Sequence, residues 1–349
     1  MKEIIVRSNP YYLLGIVICL FAVSICSAES SSTSIPGNVS SIGCLFNPSY
    51  EKVVILGDEN KITMTADVDK TAWPWSNVIY KHLNDVLIII SNANNPNIEE
   101  LLKNKPDLIF FWNNSAVVQK MTEAGIAVVS LPSSSKFTDD KTQLQIYAKA
   151  LGPDAKLKAD EYAKYFDEKL AMVKSRTSDI GEDNRPSVYF AIQKPLETAG
   201  INSDISEEIR LAGGKSVTEN LSAGFGSDIS MEQLSQWNPD YIIIDHCRAS
   251  STSKPPDETL SNMMSDPAFS ELTAVKKQQV FISPTGVMFW DGGQQQILQL
   301  IWLAKLLHPD KFEDISMETE LKEFYSKFFG YDLTDNETDR ILKSLPPTS

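Results

Sequence analysis

Histidine is scarce in this chain: His82, His246 and His308 are the three among 349 residues. Capture of bare zinc or manganese needs His, Asp and Glu grouped around the ion, and with no His-rich loop that class is set aside. Cysteine is scarce too. Of the four, Cys19 and Cys26 lie in an apolar N-terminal run, which leaves Cys44 and Cys247, one per half. Each sits in an apolar, strand-like stretch of a chain long enough to need no staples, so buried thiols are expected rather than a disulfide. Basic residues number 32 against 46 acidic ones, a net charge of −14. A nucleic-acid partner wants a basic face and is excluded; small ligands and a partner with local basic patches remain. There is no H-E-x-x-H, no G-x-S-x-G elbow and no P-loop. The adjacent Asp245, His246 and Cys247 cannot form a relay, because strand neighbours point to opposite faces. No enzyme chemistry and no cofactor are expected.

The N-terminus is a different material from the rest. Lys2 and Arg7 precede an apolar run of 16 residues from Tyr11 to Cys26, followed by small residues. A charged start, an apolar centre and a small-residue exit after Ala28 read as a secretory signal or N-terminal anchor over 1–28. The run is short for a membrane span of about 20 residues. A Ser-rich tether follows over 29–41. The working part is therefore expected outside the cytoplasm, periplasmic or tethered to the outer face of the membrane, with membrane association only through the N-terminus.

From Ile42 onward, short apolar runs alternate with amphipathic stretches, the pattern of doubly wound α/β architecture. The strands "DLIFFW" and "YIIID" are continuously apolar, as in sheets covered on both faces. Between Asp139 and about residue 180 the strands vanish. There Ala159, Ala163, Phe166, Leu170 and Val173 recur at three- and four-residue steps along one long helix, with Asp160 and Lys164 as an i,i+4 pair on its surface. The reading is an α/β lobe over 42–152, a linker helix over 153–180, and a second α/β lobe with terminal helices over 181–349. A ligand cleft lies between the lobes.

One pattern occurs twice. In "NIEELLKNKPDLIFFW" and "SMEQLSQWNPDYIIID", Glu99 aligns with Glu232, Leu101 with Leu234, Ile109 with Ile242, and Pro106-Asp107 with Pro239-Asp240. Proline stops the helix and aspartate starts the turn back into the sheet. An acid in the first turn of a helix suits its dipole, which explains one glutamate but does not require the same place in both halves.

These two stretches, with "AWPWSNVIY" and "VFISPTGVMFWDGGQQQILQLIWLAKLLHPDKF", resemble the substrate-binding proteins of ABC importers for iron-siderophores, haem and cobalamin. The likeness runs from Ile42 to the end of the chain. It implies that the chain captures a metal chelate, foremost an iron(III) siderophore, with a corrinoid or haem as alternatives. It also implies docking on an ABC permease dimer through Glu99 and Glu232. A tethered sensor of the same ligand would keep the cleft and make no use of the two glutamates.

A cleft between lobes is lined by loops at the carboxyl ends of strands. In the first lobe that selects Trp73 and Trp75, which straddle a proline in a polar loop as exposed aromatics, and Trp112 with Asn113. In the second it selects Gln193, Lys194, Phe225, His246 and Arg248, with Met288, Phe289 and Trp290 in "TGVMFWDGG". Arg248 and Lys194 are either partners for an anionic chelate or solvated loop charges. His246 either ligates a metal that the chelator leaves open or hydrogen-bonds beside the strand.

Overall fold

The computed structural model describes residues 35–66, 75–89, 96–131, 136–192, 194–201, 203–222, 226–245 and 256–348. The first sheet contains β1 (Ile42–Cys44), β2 (Ile62–Ala66), β3 (Leu87–Ile89), β4 (Leu108–Trp112) and β5 (Val128–Leu131). Their order is β3-β2-β1-β4-β5 and every pairing is parallel. The order reverses between β1 and β4, the place where an open α/β sheet leaves a crevice at the carboxyl ends. Cys44 is buried in β1; Cys247 and the segment 1–28 expected to be a signal or anchor lie outside the described residues.

The apolar run of β4 is explained by two cores. Ile109 and Phe111 face an outer core with Leu101, Val117 and Met121. Leu108 and Phe110 face a larger core on the opposite side, as the two-residue period of a strand requires. Phe110 stacks on Tyr147 there, with ring centroids 3.7 Å apart.

The second sheet has the order β11-β10-β6-β7-β9, with β8 also paired to β6. Its long members are β6 (Ser187–Ala191), β10 (Tyr241–Ile244) and β11 (Val280–Ile282), mutually parallel. The two-residue strands β7 (Glu197–Thr198), β8 (Lys215–Ser216) and β9 (Ser227–Asp228) complete it, and β7 runs antiparallel to β6 and β9. This sheet is therefore mixed rather than purely parallel. Strands so short carry no periodicity in sequence.

The helix Pro153–Thr177 has 25 residues and so spans about 37 Å at about 1.5 Å per residue. Gly152, at φ 110°, separates it from the helix Asp139–Leu151 on which it packs. The expected stripe is present and wider: Ala155, Ala159, Tyr162, Tyr165, Phe166, Leu170 and Val173 are buried, while Ala163 is half-buried. The surface ion pair is displaced by a turn. Asp160 pairs with Lys156, and Lys164 with Glu168. The larger core draws on both sheets at once. It takes Leu108 and Phe110 from the first, Val188, Phe190 and Ile243 from the second, and the buried stripe of the long helix between them. Lobes that share one core resist wide separation, because opening would expose apolar surface at about 25 cal/mol per Å².

Candidate functional site

The repeated motif folds into the same device in each lobe. The helices Ile98–Asn104 and Met231–Trp237 each have seven residues. Asn97 Oδ1 accepts the Glu100 N–H at 3.2 Å, and Ser230 Oγ accepts the Gln233 N–H at 3.1 Å. Each helix ends on a left-handed residue, Lys105 at φ 47° and Asn238 at φ 42°, and the Pro-Asp pair follows. The aspartate then fixes the start of the neighbouring strand. Asp107 Oδ2 accepts from the Ser40 N–H and Oγ–H at 2.8 Å and from the Ser41 N–H at 3.0 Å. Asp240 Oδ2 accepts from the Ser187 N–H at 3.0 Å and Oγ–H at 2.7 Å. The Ser40 N–H, with the other donors, holds the Asp107 carboxyl below its usual range. Leu101 and Leu234 bury the inner face of each helix. Glu99 and Glu232 stand exposed at the second helical position of each.

The cleft residues divide into three groups. Trp73, Gln193, Phe225, His246 and Arg248 lie outside the described residues. Trp112, the last residue of β4, is half-buried and Asn113 beyond it is exposed; Phe289 is half-buried, and Lys194 is exposed and pairs with Glu197 at 3.4 Å. Trp75, Met288 and Trp290 are interior. Trp75 is not the exposed aromatic its polar loop suggests: it is 2% exposed and donates its indole N–H to the Leu345 carbonyl at 2.9 Å, near the far end of the chain. Trp290 is fully buried, its indole N–H on Gln295 Oε1 at 3.2 Å. Met288 is 2% exposed. In this structure these three side chains pack and anchor loops.

A feature the sequence reading missed lies between the lobes: a buried polar seam. Glu51, on the first-lobe helix Asn47–Ile55, accepts the Gln294 backbone N–H at 2.8 Å and the Gln295 amide at 3.0 Å. Gln294 donates its own amide to the Asp140 carbonyl at 3.2 Å and accepts the Tyr162 hydroxyl at 2.7 Å. Tyr325 donates to Gln295 Oε1 at 2.6 Å. Lys52 Nζ lies 3.7 Å from Asp140 Oδ1, both buried. Beyond them Gln296 donates to Asp204 Oδ2 at 3.3 Å, and Gln299 to Ser283 Oγ at 3.0 Å. Glu208, Asp245 and Asp291 are buried as well. Burial pushes Glu51 up to about 7, against the pull of Gln294 and Lys52. Burial, aided by Asp140 and Asp291, pushes Asp204 up to about 8. Glu208 is raised well above the carboxylate range by burial and by Asp204. One sequence signal was available: "QQQ" at Gln294 to Gln296 leads into a largely apolar helix, Gln296–Leu307. Among the described residues no group of three or more His, Cys, Asp and Glu is arranged to hold a metal ion. The seam ties lobe to lobe.

Comparison with known proteins agrees with this geometry. The profile of the periplasmic binding protein family matches residues 42–285. The chain is 26% identical over 261 residues to the molybdate-binding protein MolA of Haemophilus influenzae, covering 68% of this chain and 71% of that one. It is 25% identical over 211 residues to an iron-uptake system-binding protein of Bacillus subtilis, covering 59% and 63%. A periplasmic solute-binding protein of Veillonella parvula superposes with a TM-score of 0.75 at 27% identity, covering 88% of this chain and 93% of that one. With two α/β lobes about a long helix and a family match over most of its length, the chain belongs to the periplasmic binding protein family, the solute-binding components of ABC importers.

Proposed function

We propose that this solute-binding protein captures an iron(III) chelate of the siderophore type in the cleft between lobes 42–152 and 181–349, joined by the helix of 153–180. It then delivers the chelate to an ABC permease dimer. The observation that carries delivery is the equivalence of Glu99 and Glu232. Two exposed carboxylates occupy the same position on two identically capped helices, one per lobe. Opposed charge on a permease would set orientation and speed of encounter more than raw affinity. In the cleft, Trp73, Phe225 and Trp112 stack on the ligand, Asn113, Gln193 and His246 hydrogen-bond it, and Arg248 pairs with its carboxylates or phenolates. Residues 1–28 send the chain outside the cytoplasm, and 29–41 space it from the surface. Among the described residues no helix is long and apolar enough to cross a membrane.

The chelate reading draws support from the Bacillus relative, named for iron uptake. A second reading is favoured by the Haemophilus relative, named for molybdate: a tetrahedral oxyanion held by Arg248 and backbone N–H groups. Tryptophan fluorescence separates them. The full chain is titrated with ferric siderophores, ferric citrate, haem, cobalamin, molybdate and free divalent metals. Saturable quenching by a ferric chelate, lost in Trp73→Ala, supports the proposal; saturation by molybdate alone replaces it with the oxyanion.

A further inference from the structure

Near its carboxyl end the chain bridges the two lobes within a single turn. The helix Asp335–Leu342 closes on Lys343, and Ser344 then takes a left-handed turn at φ 54°. Two backbone bonds fix that turn: the Ser344 N–H donates to the Ile341 carbonyl at 3.0 Å and the Leu345 N–H to the Arg340 carbonyl at 2.8 Å. Pro346 and Pro347 follow. A residue before proline is confined to extended backbone, and proline fixes its own φ, so Leu345 to Pro347 form a stiff run. Arg340 holds this run to the helix by donating its Nε–H to the Pro346 carbonyl at 2.6 Å.

Neighbouring residues of the turn grip opposite lobes. The Ser344 hydroxyl donates to the Ser283 carbonyl at 2.6 Å. Ser283 directly follows β11 and is fully buried, its N–H on the Ile244 carbonyl and its Oγ taking the Gln299 amide. One residue on, the Leu345 carbonyl accepts the Trp75 indole N–H at 2.9 Å. Trp75 is the N-cap residue of the first-lobe helix Ser76–Ile79, in the connection from β2 to β3. Consecutive Cα atoms stand about 3.8 Å apart, so one peptide unit links the two grips. Both anchors come after the carboxyl ends of strands, β11 and β2, the side on which the cleft lies. The indole N–H is the one polar atom of a side chain that is 2% exposed, so breaking its bond strands a buried donor.

We propose that Ser344 and Leu345 are positioning residues for the ligand cleft. They clamp the Trp75 side of the first lobe to the end of β11 and so set the width of the cleft along that edge. Opening there breaks either the Trp75–Leu345 bond or the Ser344–Ser283 bond. The two bonds act in series, and the loss of one releases the clamp. The role of the clamp in ligand release rests on capture between the lobes.

The test is a double-mutant cycle read on an inter-lobe distance. Spin labels are placed at Ser115→Cys and Ser261→Cys, exposed positions on the helices that follow β4 and β10, in a full chain whose four native cysteines are replaced by alanine. Trp75→Phe removes the indole donor. Ser344→Gly removes the hydroxyl at a left-handed position that glycine adopts freely. Without ligand, double electron–electron resonance should show each single variant shifted to longer and broader distances. Action in series predicts that the double variant moves no further than the larger single one. Dissociation of a ferric catecholate, read by tryptophan fluorescence, should quicken roughly two- to tenfold in Ser344→Gly, the factor that one hydrogen bond supplies. A contact that only stabilises the fold lowers the melting temperature and leaves distance and release alone. Native distances in both single variants, or shifts that add in the double variant, overturn the clamp. Should Trp75→Phe not fold, Ser344→Gly carries the test through distance and release. The distances are read on the unliganded protein, so a ferric catecholate that fails to bind counts against the binding proposal and not against the clamp.

Discussion

Asp240 holds Ser187 in the second lobe as Asp107 holds Ser40 in the first: in each case one carboxylate oxygen takes both the backbone N–H and the hydroxyl of a serine at a strand start. Each aspartate follows a proline that comes after a short capped helix; Ser187 is the first residue of β6, and Ser40 lies two residues before β1. The repeat thus ties the start of the central strand to the aspartate before its neighbour in both lobes. Glu99 and Glu232 inherit equivalent placement because everything beneath them is equivalent.

Asp107→Ala and Asp240→Ala should each cost about 1–3 kcal/mol, since charged hydrogen bonds to backbone N–H groups are lost. Thermal or urea unfolding reads the change. Because the Ser40 N–H lowers the Asp107 pKa, its contribution is present above the ordinary carboxylate range and lost as pH falls through the lowered value. Asp107→Ala should therefore flatten the acid limb of the stability curve.

The seam acids carry the opposite sign. Glu51 rises from 4.5 to about 7 and Asp204 from 3.8 to about 8, so the folded state binds more protons than the unfolded chain across those windows. Their contribution is full below the unfolded values and lost as pH rises through the folded ones. Melting temperature should fall between about pH 5 and pH 8, and Asp204→Asn should flatten that fall. A stability that rises across this range contradicts the burial described for both groups.

Gly293 is required by its neighbours. A Cβ there would lie 2.7 Å from Glu51 Oε2 and would also collide with Met288 Cε. Gly293→Ala should destabilise by about 1–3 kcal/mol, as overpacking does. Gly37→Ala, where a Cβ meets nothing within 4 Å, should leave unfolding unchanged and serves as the control.

Charge reversal at the lobe tips should separate capture from delivery. In E99K/E232K, ligand affinity stays at the native value, because both side chains are exposed, while uptake through the cognate permease is lost. Binding titration and uptake measured on the same variant check this. Reduced affinity with uptake in proportion would remove the docking role.

Much of this fold was legible in the sequence because its signals are local. The alternation of Leu108 to Phe111 between two cores, the stripe from Ala159 to Val173, and the repeat at Glu99 and Glu232 all follow from short periods. What was not legible depends on distant partners. Trp75 reads as exposed in a polar loop, yet its N–H finds the Leu345 carbonyl 270 positions away. Glu51 was not singled out in the sequence, because the partners that bury it, Gln294 and Gln295, come from the other end of the chain. The two-residue strands β7 to β9 are too short to show any period, which is why the second sheet reads as parallel.

The central claim is capture of a ferric chelate, and isothermal titration calorimetry of the full chain tests it most directly. Ferric siderophore should bind at one site per chain with saturable heat, while molybdate and free divalent metals give none. Saturable heat from molybdate with silence from every ferric chelate would contradict the account.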